Sequence, residues 1–143
     1  MTTISQLLKM LLERTERGEL VWEKLSRVDY ETEVSGQSGV FRFTLSLVPT
    51  IRRPPTGRIR FTPEQYLPHL LAFRVEALVP ILYIVDVQQD REIAKISGDD
   101  PNLERENFEL LERLYDLVEK QARSPEFEQD LQRALQALAE AKR

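Results

Sequence analysis

The spacing of apolar residues changes twice along this chain, and that double change most constrains what it can fold into. Within residues 3–17, Ile4, Leu7, Leu8, Leu11 and Leu12 recur at helical intervals, with Lys9, Glu13, Arg14, Glu16 and Arg17 mostly on the opposite face. From Leu20 to about Gly98 the interval falls toward two, at which alternate side chains share one face of a pleated strand. Past Pro101 it becomes helical again, through Leu103, Phe108, Leu111, Leu114, Tyr115 and Val118. A last stripe, Phe127, Leu131, Ala134, Leu135 and Leu138, follows Ser124-Pro125. Helix, hairpins, helix, helix, with no strand–helix alternation, predicts an α+β fold: a mainly antiparallel sheet of five or six strands flanked by an N-terminal and two C-terminal helices. Helices near 3–17 and 101–123 are expected to cover one face of the sheet.

Local signals place the boundaries. Thr3 and Gln6 fit a capping box, and Gly18 is a natural stop for the first helix. Tyr30, Thr32 and Val34 alternate with Asp29, Glu31 and Glu33, and Phe41, Phe43, Leu45 and Leu47 with Arg42, Thr44 and Ser46; a turn at 35–39 makes them a hairpin with one wet face. Trp22 is assigned to a short strand just before it. Residues 49–58 hold three prolines and a glycine, which predicts a long loop or edge excursion, because proline lacks the ladder donor. Thr62 and Pro63 open one helical turn, and Phe73, Val75 and Ala77 alternate as a strand. Residues 81–87, almost wholly apolar, are expected at the centre of the sheet, and a polar tip at 88–91 leads to a strand at 92–97. Asp99-Asp100-Pro101 reads as the start of the next helix, and Ser124-Pro125-Glu126 of the last, 125–141.

Composition removes whole classes of chemistry. The 143 residues suit a single domain, on a scale of about 100–200 residues per domain. A formal charge of -4 gives no basic surplus for wholesale phosphate binding. With no cysteine there is no disulfide, thiolate metal site or thiol nucleophile, and no cofactor is expected. Charges at Lys9, Glu13 and Arg14 come too early for a secretory leader, and no run approaches the ~18 apolar residues of a membrane span. A cytoplasmic chain is expected.

Few residues point to chemistry, and each has a plainer reading beside it. His69, the single histidine, has neither a second histidine nor a nucleophile elbow to work with. Asp86, Asp90, Glu92, Asp99 and Asp100 carry the oxygen ligands of a hard divalent cation but match no calcium loop; hairpin tips and helix starts explain them better. Glu109 with Arg113, Asp116 with Lys120 and Glu119 with Arg123 are spaced as solvated i,i+4 pairs. Arg52, Arg53, Arg58 and Arg60 form a basic loop on an acidic chain. Guanidinium groups there suit an acidic protein partner or nucleic-acid phosphates, while proline and charge together also blunt a sheet edge. The stripe of Phe127, Leu131, Leu135 and Leu138 either packs on its own sheet or meets another chain.

Two stretches, Leu11-Leu12-Glu-Arg-Thr15-Glu-Arg-Gly18-Glu-Leu-Val-Trp22-Glu23 and Leu114-Tyr115-Asp-Leu-Val-Glu-Lys-Gln121-Ala122, resemble a loose group of small uncharacterised bacterial proteins. In that group a short helix ending Thr-x-x-Gly leads to Trp-Glu, a β-meander follows, and a helix bearing Leu-Tyr-x-Leu-Val-x-x-Gln closes the domain. The resemblance implies an accessory or interaction module beside bacterial conflict systems, and brings no activity or catalytic residue. The function expected is a non-enzymatic protein-interaction module (adaptor, chaperone or inhibitor), with a homodimer as its assembly. A nucleic-acid-associated protein using the basic loop is the second reading and a metal-dependent hydrolase the third.

Overall fold

The structure is a computed structural model that describes residues 2–52, 54–56, 77–122 and 125–141, the first three positions of the last segment as backbone alone. Among the described residues the order is α1 (Thr3–Glu16), β1 (Glu23–Lys24), β2 (Tyr30–Gly36), β3 (Gly39–Thr50), β4 (Ala77–Asp86), β5 (Arg91–Ser97), α2 (Arg105–Gln121) and α3 (Pro125–Glu140). The strands form one antiparallel sheet in sequence order, β1-β2-β3-β4-β5. This is the α+β architecture that the change of period predicts. The expected features at Thr62, His69, Phe73 and Val75 lie outside the described residues.

Each end of α1 is closed by its own chemistry. Thr2 has an extended backbone and its Oγ1 accepts the Ser5 N–H at 3.1 Å, so the cap lies one residue before the expected Thr3, which is already helical. At the other end Gly18, at φ 76°, lets its N–H reach the Thr15 carbonyl at 3.1 Å while the Glu19 N–H reaches that of Arg14 at 2.9 Å. The reversal throws the chain back so that Trp22, 4% exposed, lies against the helix it has just left. Its indole Nε1–H donates to Thr15 Oγ1 at 3.0 Å, and that hydroxyl donates to the Leu11 carbonyl at 2.7 Å.

One face of the sheet carries the core. Tyr30, Phe43, Leu45, Leu47, Leu82, Ile84 and Ile96 join Leu8, Leu11 and Leu12 of α1 and Leu111, Leu114, Tyr115 and Val118 of α2 in a single buried cluster. On the outer face of the β2–β3 hairpin Arg42 faces Glu31 at 3.5 Å and Glu33 at 4.0 Å, as expected of a solvated face. The expected central strand does exist, but the stretch buried on both sides is Ala77–Leu82, ahead of the predicted 81–87; Tyr83, Val85, Asp86 and Val87 are only half-buried. The geometric middle of the sheet is β3.

Proline did not end β3 where it was expected to. The strand runs through Pro49 to Thr50, pairing Pro49 with Leu78, and Pro80 stands within β4 opposite Leu47. The two pairs are two steps apart, so they belong to the same class of the antiparallel ladder. A proline can occupy only the class whose N–H would point away from the shared strand. On the other side of each proline the regular ladder has stopped: β2 pairs with β3 only as far as Leu45 and β5 with β4 only from Ile81, where the Gly98 N–H still donates to the Pro80 carbonyl at 2.8 Å.

The helix expected from Pro101 begins at Arg105. Asp100 does not cap it: its Oδ1 accepts the Asn102 N–H at 2.9 Å and its carbonyl the Leu103 N–H at 3.2 Å, closing a turn ahead of the helix. Gly98 is required at this junction. A Cβ there would stand 2.9 Å from the Pro80 carbonyl oxygen, 2.9 Å from Val79 Cβ and 3.0 Å from the Phe108 ring. Once started, α2 is tied to α1 by the Ser5 hydroxyl donating to Asn107 Oδ1 at 2.6 Å and by Lys9 and Glu106 at 3.5 Å. It is tied to the sheet by the Tyr115 hydroxyl, which donates to the Val28 carbonyl at 2.9 Å, and by the edge of the Tyr115 ring against Tyr30, centroids 5.7 Å apart.

Candidate functional site

Basic and acidic candidates come together at one point only among the described residues. Arg52, just past β3, places its guanidinium 3.5 Å from Asp99, both side chains about half exposed. Its charge is therefore directed in part at its own chain. Arg53, Arg58 and Arg60 lie outside the described residues, as does His69. Around Arg52 a small pocket of about 150 Å³ is walled by Thr50, Pro54, Pro55, Gly98, Asp100 and Phe108. Next to it Thr56 Oγ1 donates to Glu112 Oε1 at 2.9 Å, which holds the chain after β3 against α2; Glu112 is buried although its spacing reads as a solvated helix face.

The carboxylates considered for a cation have separate tasks. Asp86 Oδ1 accepts the Gln89 N–H at 3.2 Å in the β4–β5 turn, Asp90 holds a left-handed turn position at φ 50°, and Asp99 faces Arg52. Among the described residues no three His, Cys, Asp or Glu side chains are grouped to hold a metal ion. Glu109 is met by Arg105, one turn before it at 3.1 Å, rather than being placed by the expected i,i+4 order with Arg113. Burial first, then the carboxylates of Glu119 and Asp29, push the Tyr30 phenol above its ordinary 10.0. That is the signature of a tyrosine packed in the core, where Tyr30 is 1% exposed.

The geometry that does suit a ligand lies along α1. On the flank of this helix away from α2, Leu7, Met10 and Leu11 face Leu20, Val34 and Phe43 across an open apolar groove of about 220 Å³, with Arg14 on its wall. Met10 is 56% exposed at its rim, and Ile4, about one turn before Leu7, is 40% exposed. The β2–β3 hairpin runs on past the groove to its turn, and Val34 and Phe41 there are only partly covered. Sequence reasoning assigned Leu7 and Leu11 to the core stripe and passed over Met10 and Leu20. The available signal was the width of the stripe: Leu7, Leu8, Leu11 and Leu12 together with Ile4 and Met10 span more of the helix than one sheet face covers.

The second expected surface is the terminal helix. In α3 every described side chain from Glu128 to Ala141 is exposed, and Leu131, Leu135 and Leu138 are 39%, 66% and 72% exposed. The docking of this stripe on the chain's own sheet, which sequence reasoning held open, is not what these positions do. Phe127 belongs to the helix backbone, and its side chain is outside the described residues. Among the described residues no helix is long and apolar enough to cross a membrane.

No family model, no curated protein and no solved structure matches this chain.

Proposed function

We propose that this chain is a non-enzymatic protein-interaction module, an adaptor, chaperone or inhibitor of the cytoplasm, that receives an apolar segment of a partner protein beside α1. The observation that supports the reading is the groove of Leu7, Met10, Leu11, Leu20, Val34 and Phe43. An open apolar trough walled by a helix and a strand is the shape into which an amphipathic partner helix lays its anchors. Methionine at its rim adapts to different side chains, and Arg14 offers a fixed cation to an acid on the partner segment.

Affinity capture from the native cell tests this reading, comparing the unmodified chain with Met10→Glu. Met10 is largely exposed, so the variant is expected to fold normally and to lose the partner that the unmodified chain recovers. Equal recovery by both, or turnover in an unbiased substrate screen, would overturn it.

A further inference from the structure

We infer that the groove beside α1 takes an amphipathic partner helix that lies antiparallel to α1 and carries an aspartate or glutamate one turn ahead of its apolar anchors, where Arg14 meets it. This rests on the groove being the docking site and names what the site selects. The α1 wall consists of Leu7, Met10, Leu11 and Arg14, a single stripe of i, i+3, i+4 and i+7 positions. At 1.5 Å per residue the stripe is about 10 Å long, two turns of helix. Its first three members are apolar and its last is a cation, while the facing wall of Leu20, Val34 and Phe43 is apolar throughout. The groove is therefore apolar along the body of α1 and positive at the end where α1 stops.

Charge and direction select the occupant. Arg14 meets no acid among the described residues, whereas Lys9, the base before it on α1, faces Glu106 at 3.5 Å. Glu31 and Glu33 of β2 turn to the outer face of the sheet, where Arg42 stands at 3.5 Å and 4.0 Å, so they do not neutralise the groove. A guanidinium beside an apolar trough loses part of its water when the trough fills, and then holds a carboxylate more firmly than a fully solvated cation does. Direction follows from the dipoles. An acid is favoured in the first turn of its own helix, so an occupant whose acid reaches Arg14 is most stable with its N-terminal turn there. That sets the positive end of the occupant beside the negative end of α1, and its anchors then run back along Leu11, Met10 and Leu7.

A displayed library of short helical peptides tests this, with leucines fixed at three positions spaced four and three apart and the residues one turn before the first and one turn after the last randomised. Binders selected against the unmodified chain should be lost on Met10→Glu, and should carry Asp or Glu before the anchors and not after them. A selected peptide, labelled and titrated by fluorescence anisotropy, should bind Arg14→Glu about tenfold more weakly or worse, and changing its acid to lysine should restore the affinity for that variant. Arg14 is exposed, so Arg14→Glu is expected to keep the circular dichroism spectrum of the unmodified chain. Binders that need Met10 but carry no acid before the anchors, or that hold Arg14→Glu as tightly as the unmodified chain, would overturn this inference and leave the groove reading standing. A library that yields no binder, or binders indifferent to Met10→Glu, would overturn both.

Discussion

Helices α2 and α3 are nearly equal in length, 17 and 16 residues, and both are strongly amphipathic, yet their fates differ. In α2 the apolar stripe is sealed: Leu111, Leu114, Tyr115 and Val118 are wholly buried, and polar ties to Ser5, Lys9 and Val28 fix its height and rotation. In α3 Leu131, Leu135 and Leu138 face solvent. Periodicity thus encodes the need for a covering surface and carries no information about which molecule provides it. The difference lies in what the stripe is mixed with. The face of α2 adds groups with specific partners, Asn107 for Ser5 and the Tyr115 hydroxyl for the Val28 carbonyl, whereas that of α3 is leucine and alanine, which fit any matching apolar surface.

The contrast should be largest in stability. Leu114→Ala in α2 empties a fully buried site and is expected to cost about 2–5 kcal/mol, whereas Leu135→Ala at an exposed site should stay within about 0.5 kcal/mol of wild type. Urea titration of both variants checks this, and a comparable loss in Leu135→Ala would erase the distinction between the helices. Next in size is the junction that sets α2 in place. Gly98→Ala forces a methyl against the Pro80 carbonyl, Val79 and Phe108, and should cost about 1–3 kcal/mol in the same titration. The smallest effect is on the alkaline limb. The Tyr30 phenol is held above 10.0 by burial under α2 and by Glu119 on that helix. The folded state therefore keeps a proton that the unfolded chain gives up first, and stability should be intact below pH 10.0 and decline as pH rises through the folded value. Tyr30→Phe should flatten that decline; an alkaline limb identical in the variant would show that the phenol is not its source.

Much of the fold was legible because periodic burial leaves a periodic mark. Helix α1, the β2–β3 hairpin and α2 were all marked this way, and Gly18 could be read as a stop because only a left-handed residue closes that turn cheaply. Pro49 and Pro80 misled because the rule against proline in strands depends on the neighbour strand, and local sequence does not say where β2 and β5 run out. Asp100-Pro101 misled for a similar reason: an aspartate before a proline caps a helix and closes a turn with the same atoms. The groove beside α1 was less legible than either, since it is lined by residues of α1, the chain that leaves it and the β2–β3 hairpin, a property of placement and not of any residue. The stripe of Leu131, Leu135 and Leu138 was fully visible in the sequence, whereas its exposure was not.

Trp22 is the single tryptophan of the chain, and it sits with its indole hydrogen-bonded to Thr15 where α1 turns back onto the sheet. The protein thereby carries an intrinsic fluorophore at the joint between α1 and the chain that leaves it. Its emission will report release of α1 from the sheet as a shift to longer wavelength, and will be blind to anything that happens on α3. Loosening of the domain can thus be followed optically, without attaching a dye.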